Sequence, residues 1–185
     1  MPAPPVRVFC QDASRLGLHL PICRRLTDCG GKPVPVVEPL YASYWLYAAV
    51  EPATGDAFWW ELPRLDAICF ALCLDKFAPH YAESRNIVRL DHAPAHVTQR
   101  VHGPENVVLV WLPAYSPALH PVERLWEDLT SRIDVVEARV RSSRSALQAH
   151  VAELVRRYTA ETIASLTGSA YLVKLFMHSH YQEMV

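Results

Sequence analysis

The apolar pattern of this chain changes period along its length. "VRVFCQD" (6–12) is a short apolar run, reads as a buried strand and ends in Asp12. A glycine-bearing loop follows, and "RRLTDCGGKPVPVVEP" (24–39) reads as irregular chain plus a second strand. "ASYWLYAAVEPATGDAFWWELP" (42–63) is two aromatic and β-branched runs around the turn "EPATGD", a hairpin signal. From residue 64 to 83 the spacing becomes helical, through Leu65, Ile68, Cys69, Leu72, Cys73 and Phe77. "NIVRLD" (86–91) is again a short strand, ending in Asp91, and "VVLVWLP" (107–113) is another. Three prolines then interrupt the chain at 113, 117 and 121. Val122, Leu125, Trp126, Leu129 and Ile133 resume at helical spacing, with Pro121 in the first-turn position that proline tolerates. Leu147, Val151, Leu154, Val155 and Tyr158 mark a further helix, and Tyr171 to Tyr181 another.

Strands first, then strand and helix in alternation, then helices: this order predicts a mixed sheet covered by helices on both faces, a three-layer α/β arrangement. The 185 residues suit one domain, and a hydrophobic share of 51% with 20% charged is ordinary for a globular chain. Net charge is −1, so there is no overall basic field of the kind that drives binding to nucleic acid. Arginines do gather locally, at Arg139, Arg141, Arg144, Arg156 and Arg157, as a basic face or a solvated helix surface. Cys10, Cys23, Cys29, Cys69 and Cys73 form no close CxxC pair and are expected as reduced thiols. The N-terminus has no apolar signal core, and no apolar stretch approaches the roughly 18 residues of a membrane span, so a cytoplasmic location without an anchor is expected.

Three carboxylates have similar addresses. Asp12 and Asp91 end strands, and Glu123 sits in the first turn of the helix after "PAYSPALHP". Strand ends of an α/β sheet face a common crevice where ligands collect. If the two strands are neighbours and the helix begins beside them, the carboxylates converge. Like charges so placed are driven to bind a proton or a cation. Oxygen ligands without a Cys or His pattern favour Mg²⁺ or Mn²⁺, and paired ions of this kind assist phosphodiester chemistry. The prolines restrict the backbone before Glu123 and steer the helix start. Strand-end aspartates also serve as turn residues, and the helix dipole favours a first-turn glutamate, so position alone leaves both readings open.

"LDHAPAH" (90–96) and "PENVVLVWLPAYSPALHPVERLW" (104–126) resemble the catalytic core of bacterial insertion-sequence transposases of the mariner superfamily, whose signatures read like "LDNAxxH" and "LPPYSPxLNPIExxW". "QDASRLGLH" (11–19) matches the first-aspartate block of that family, and "WLYAAVEPATGDAFWWELP" (45–63) the hairpin after it. The resemblance runs in order over about residues 6 to 135. It implies a ribonuclease-H-like fold, a mixed five-stranded sheet flanked by helices. Residues 1–185 are then one catalytic domain, with a core over about 6–135 and C-terminal helices over about 145–184. It also implies an Asp-Asp-Glu triad, here Asp12, Asp91 and Glu123, holding two Mg²⁺ ions with Mn²⁺ as substitute. The implied activity is cleavage of transposon-end DNA and joining of the freed 3′-hydroxyl to target DNA, commonly at TA, on the bacterial nucleoid.

Departures from the family pattern accompany the matches. His92 and His120 stand where the family usually has Asn, and His96 matches a family histidine. With Tyr115 and Ser116 they are candidates to support the carboxylates or to contact DNA. The helix-turn-helix domains that usually precede the catalytic core have no counterpart in the sequence. A partner chain or a second reading frame carrying those domains would then supply recognition; the expected assembly is a homodimer or a complex with that partner chain. Two other readings follow from the same residues: an inactive remnant acting as a dimerisation or interference module, and a ribonuclease-H-like nuclease without a transposition role. The aromatic runs "YWLY" and "FWW" are expected in the core rather than stacked on bases.

Overall fold

The computed structural model describes residues 3–17, 43–92, 103–112, 120–134 and 143–168. In chain order these form β1 (Val6–Gly17), β2 (Ser43–Val50), β3 (Ala57–Leu62), α1 (Ala67–His80), β4 (Arg85–Leu90), β5 (Val107–Trp111), α2 (Val122–Asp134), α3 (Arg144–Arg156) and α4 (Ala160–Thr167). The strands make one five-stranded sheet in the order β3-β2-β1-β4-β5. β1, β2 and β3 pair antiparallel, and β1–β4 and β4–β5 pair parallel. Parallel neighbours need a crossover, and α1 supplies it between β3 and β4.

Alternation along the strands divides the core into two layers. Phe9, Tyr47, Val88, Leu90 and Val107 point to the side where α1 buries Cys69, Phe70, Cys73, Leu74 and Phe77. Cys10, Leu46, Ala48 and Val50 point to the other side, against Val122, Leu125, Trp126, Leu129 and Ile133 of α2, with Leu147, Val151 and Ile163 from α3 and α4. This is the mixed sheet with helices on both faces that the order of elements predicts. Asp66 caps α1 by accepting a hydrogen bond from Cys69 N at 2.8 Å.

The predicted hairpin is β2–β3. Its turn contains Gly55 in the left-handed region, at φ +76°, pressed against the start of α4. Beside it, Arg7 bridges Glu51 at 2.6 Å and Asp56 at 2.7 Å and lies over the rings of Phe9 and Tyr81. These groups tie down the end of the sheet where β1 begins. The aromatic runs belong to the protein interior: Tyr44 and Tyr47 are buried, and Trp45, Phe58, Trp59 and Trp60 pack partly buried on the two cores.

Some boundaries differ from the sequence expectation. β1 does not end at Asp12 but runs to Gly17, because Ala13–Gly17 continue to pair with Ser43–Tyr47 of β2. α4 is a helix separate from α3, set off by its own cap, Thr159 accepting from Thr162 N at 3.2 Å. Cys10, Cys69 and Cys73 are buried free thiols as expected. The strand expected within 24–39, the helix over 171–181, Cys23, Cys29, Arg139 and Arg141 lie outside the described residues. Among the described residues no helix is long and apolar enough to cross a membrane.

Candidate active site

Asp12 lies on the α2 side of β1, two residues beyond Cys10. Its carboxylate is fixed at both oxygens. Trp126 Nε1–H donates to Oδ2 at 2.8 Å, and the backbone N–H of Ala13 donates to Oδ1 at 2.7 Å. One residue earlier, Gln11 O meets His120 Nε2 at 3.0 Å. A carbonyl only accepts, so this ring nitrogen carries the proton.

Glu123 enters from the opposite layer, in the first turn of α2. The backbone N–H of Glu123 donates to His120 O at 3.2 Å, closing the turn that starts the helix. The helix is seated by Val122, Leu125 and Leu129, all fully buried, and by Trp126 and Ile133. Glu123 therefore stays at the surface while its neighbours anchor it. α2 begins at Val122, directly after Pro121, and residues 113–119, with Pro113 and Pro117, lie outside the described residues.

Asp91 is the first residue past β4. The parallel pairing of β1 with β4 ends at Cys10 and Arg89, two residues before Asp12 and Asp91. Electrostatics put the carboxylates within reach of one another. Burial holds the Asp12 carboxyl above the usual carboxylate range; Asp91 adds to the rise, while His120 and the hydrogen bonds from Ala13 and Trp126 oppose it. Glu123 is also raised, first by burial and then by Asp12; Glu127 and Asp91 add, and His120 opposes. Each of the three positions thus contributes to a shared field.

Among the described residues no group of three or more His, Cys, Asp or Glu side chains is gathered at metal-holding distance. The three carboxylates are within electrostatic reach of one another but not closed to ligand spacing. Their donor chemistry is all oxygen and anionic, which suits a hard divalent cation. Trp126 and Ala13 take one acceptor direction on each oxygen of Asp12, and a carboxylate has about four.

Of the other sequence candidates, His92 is exposed beside Asp91, and His120 is buried on Gln11 O. His96, Tyr115 and Ser116 lie outside the described residues. Two residues near the carboxylates are not evident from sequence. Trp126 reads there as a core residue, yet a buried indole N–H needs a partner, and Asp12 is within its reach. Arg89 is buried in β4, on the Asp12 side, close enough to Cys10 to offset part of the rise that burial gives that thiol, which still reaches about 12.

The fold is shared with known proteins. The structure of Mos1 transposase in a paired-end complex with the left transposon end matches with a TM-score of 0.66 at 16% identity, over 88% of this chain and 51% of that one. The Mos1 mariner paired-end complex with Mn matches with a TM-score of 0.65 at 16% identity, over 88% of this chain and 52% of that one. Among curated proteins, the uncharacterized protein y4pE/y4sA of Sinorhizobium fredii (strain NBRC 101917 / NGR234) is 32% identical over 84 residues, 45% of this chain and 62% of that protein. The chain thus spans less than two thirds of the relatives it matches. The family model of the DDE superfamily endonucleases matches residues 7–161, from the start of β1 into α4 and across all three carboxylates, and the chain belongs to that family.

Proposed function

We propose that this chain is the catalytic domain of a DNA transposase, cutting transposon-end DNA and joining the freed end to target DNA, with Asp12, Asp91 and Glu123 as its catalytic and metal-binding residues. One observation carries the reading: within a chain of the DDE superfamily endonucleases, Asp91 at the end of β4 raises the proton affinity of Asp12 on β1, and both raise that of Glu123 on α2. Two Mg²⁺ ions, or Mn²⁺ in their place, would supply activation of the attacking oxygen and neutralise charge on the leaving one. The protein's own part is placement. Trp126 and Ala13 orient Asp12, the end of β4, the parallel neighbour of β1, carries Asp91, and the buried face of α2 presents Glu123.

The structural relatives carrying transposon-end DNA and Mn support DNA and a divalent ion as partner and cofactor. The same structures are paired-end complexes, which supports assembly of this chain on DNA as a homodimer or with a partner chain carrying helix-turn-helix domains. The relative in Sinorhizobium fredii supports a bacterial setting; we assign the action to DNA of the nucleoid, in the cytoplasm.

The test is cleavage of labelled end-sequence DNA by the full chain, with and without the candidate partner chain. Nicking is expected with Mg²⁺ or Mn²⁺ only, and Asp91→Asn is expected to abolish it with the fold intact. Cleavage that persists in EDTA or in the Asp91→Asn protein refutes the assignment. Absence of cleavage by the folded wild type, with partner and ions present, would favour the inactive interference module. Cutting without regard to end sequence would favour a general nuclease.

A further inference from the structure

We propose that Trp126 is a positioning residue that fixes the first carboxylate against the third. The inference rests on the reading of Asp12, Asp91 and Glu123 as one metal-binding site. Its basis is a coincidence of helix geometry. Residues three apart lie on adjacent parts of one helix face, and Glu123 and Trp126 are three apart in α2. The same turn that presents Glu123 therefore reaches across to β1, where the indole N–H donates to Asp12 Oδ2 at 2.8 Å. The separation of Asp12 from Glu123 is then set by one helix turn and one hydrogen bond, not by two independent loops.

The indole is itself held. Trp126 is 7% exposed and meets Trp59 of β3 edge-on, with ring centres 5.9 Å apart at 76°. Trp59 in turn stacks on Tyr158 at 6.2 Å and 22°, and the Tyr158 hydroxyl donates to Asp128 Oδ2, two residues along α2. A ring clamped in this way has little freedom to turn its N–H elsewhere. On the backbone next to Asp12, His120 Nε2–H holds Gln11 O at 3.0 Å. The start of α2 thus grips β1 at two successive residues. With Ala13 N–H on Oδ1 and the indole N–H on Oδ2, one further acceptor direction remains on each oxygen for a cation.

The experiment is calorimetric titration of Mn²⁺ into the full chain for the wild type, Trp126→Phe, and a chain with 3-benzothienylalanine at 126. The last keeps the bicyclic shape and replaces only the N–H. Both variants are expected to bind Mn²⁺ about tenfold more weakly, about 1.4 kcal/mol, as for loss of a charge-assisted hydrogen bond that orients a ligand. The benzothienyl chain decides the matter if Trp126→Phe fails to fold. Wild-type affinity in the benzothienyl chain, with or without a loss in Trp126→Phe, overturns the inference: the ring then acts by packing alone. A wild-type chain that binds no Mn²⁺ overturns the metal-site reading itself, and the inference with it.

Discussion

Gly55→Ala separates the stability of this fold from the chemistry of its carboxylates. Gly55 has φ +76°, and an added Cβ would lie 1.8 Å from Ala160 O, 2.6 Å from Ala160 C and 3.0 Å from Ala160 Cα. All three are backbone atoms, so no side chain can rotate away. The left-handed conformation costs a non-glycine residue roughly 1–2 kcal/mol. Restoring ordinary contact also requires α4 to retreat by about 1.6 Å from the hairpin. That retreat loosens Ile163, which is 4% exposed and whose full burial contributes roughly 1.5–3 kcal/mol. A total loss of about 2–4 kcal/mol is expected. It should appear in urea unfolding as a lower midpoint at unchanged slope, and in heating as a Tm lower by roughly 5–15 °C. The hairpin turn sits at the end of the sheet where β1 begins, away from Asp12, so Mn²⁺ affinity of the folded fraction is expected to be unchanged. A loss below about 0.5 kcal/mol would refute the reasoning, since surface substitutions without a special role fall in that range.

Two further outcomes follow from the raised carboxyls. A carboxyl with a folded pKa above its unfolded one binds its proton more tightly in the folded chain; its contribution is present below the unfolded value and is lost as pH rises through the folded value. Asp12 and Glu123 are both raised, so metal-free protein is expected to lose stability as pH rises above the ordinary carboxylate range. Asp12→Asn should flatten that pH dependence while removing cleavage; a urea midpoint that falls with pH as steeply in this variant as in the wild type would contradict the assignment. Mg²⁺ at about a hundred times its Kd is expected to raise wild-type stability by about 2.7 kcal/mol, and to do so far less in Asp91→Asn. Equal stabilisation of the two proteins by Mg²⁺, read from their melting curves, would place the ion elsewhere.

Much of the architecture is legible in the apolar pattern, because the strongly periodic elements are those that bury a continuous face. α2 shows this best: Val122, Leu125, Trp126, Leu129 and Ile133 appear at helical spacing in the sequence and are all buried. The true end of β1 is not legible, because Ser14 and Arg15 interrupt the apolar run and only the pairing with β2 extends the strand. α4 is obscure for a similar reason, since it buries only Ile163 and Thr167 in eight residues. Asp12, Asp91 and Glu123 can be named from sequence and motif. Which strand ends come together depends on sheet order and register, which local patterning does not specify. The bond from Trp126 is hidden because a large aromatic residue at a core position needs no second explanation.

Among the described residues, β1 keeps β4 as its neighbour through Cys10 and then continues for seven residues with β2 alone. A bare strand margin recruits stray strands, and the ring of His120 occupies the first carbonyl past the branch point, like a plug in an open socket. Past that point β1 is held by β2 along one edge and by the segment leading into α2 at a single carbonyl, so any shift of the α2 start would carry the backbone beside Asp12 with it.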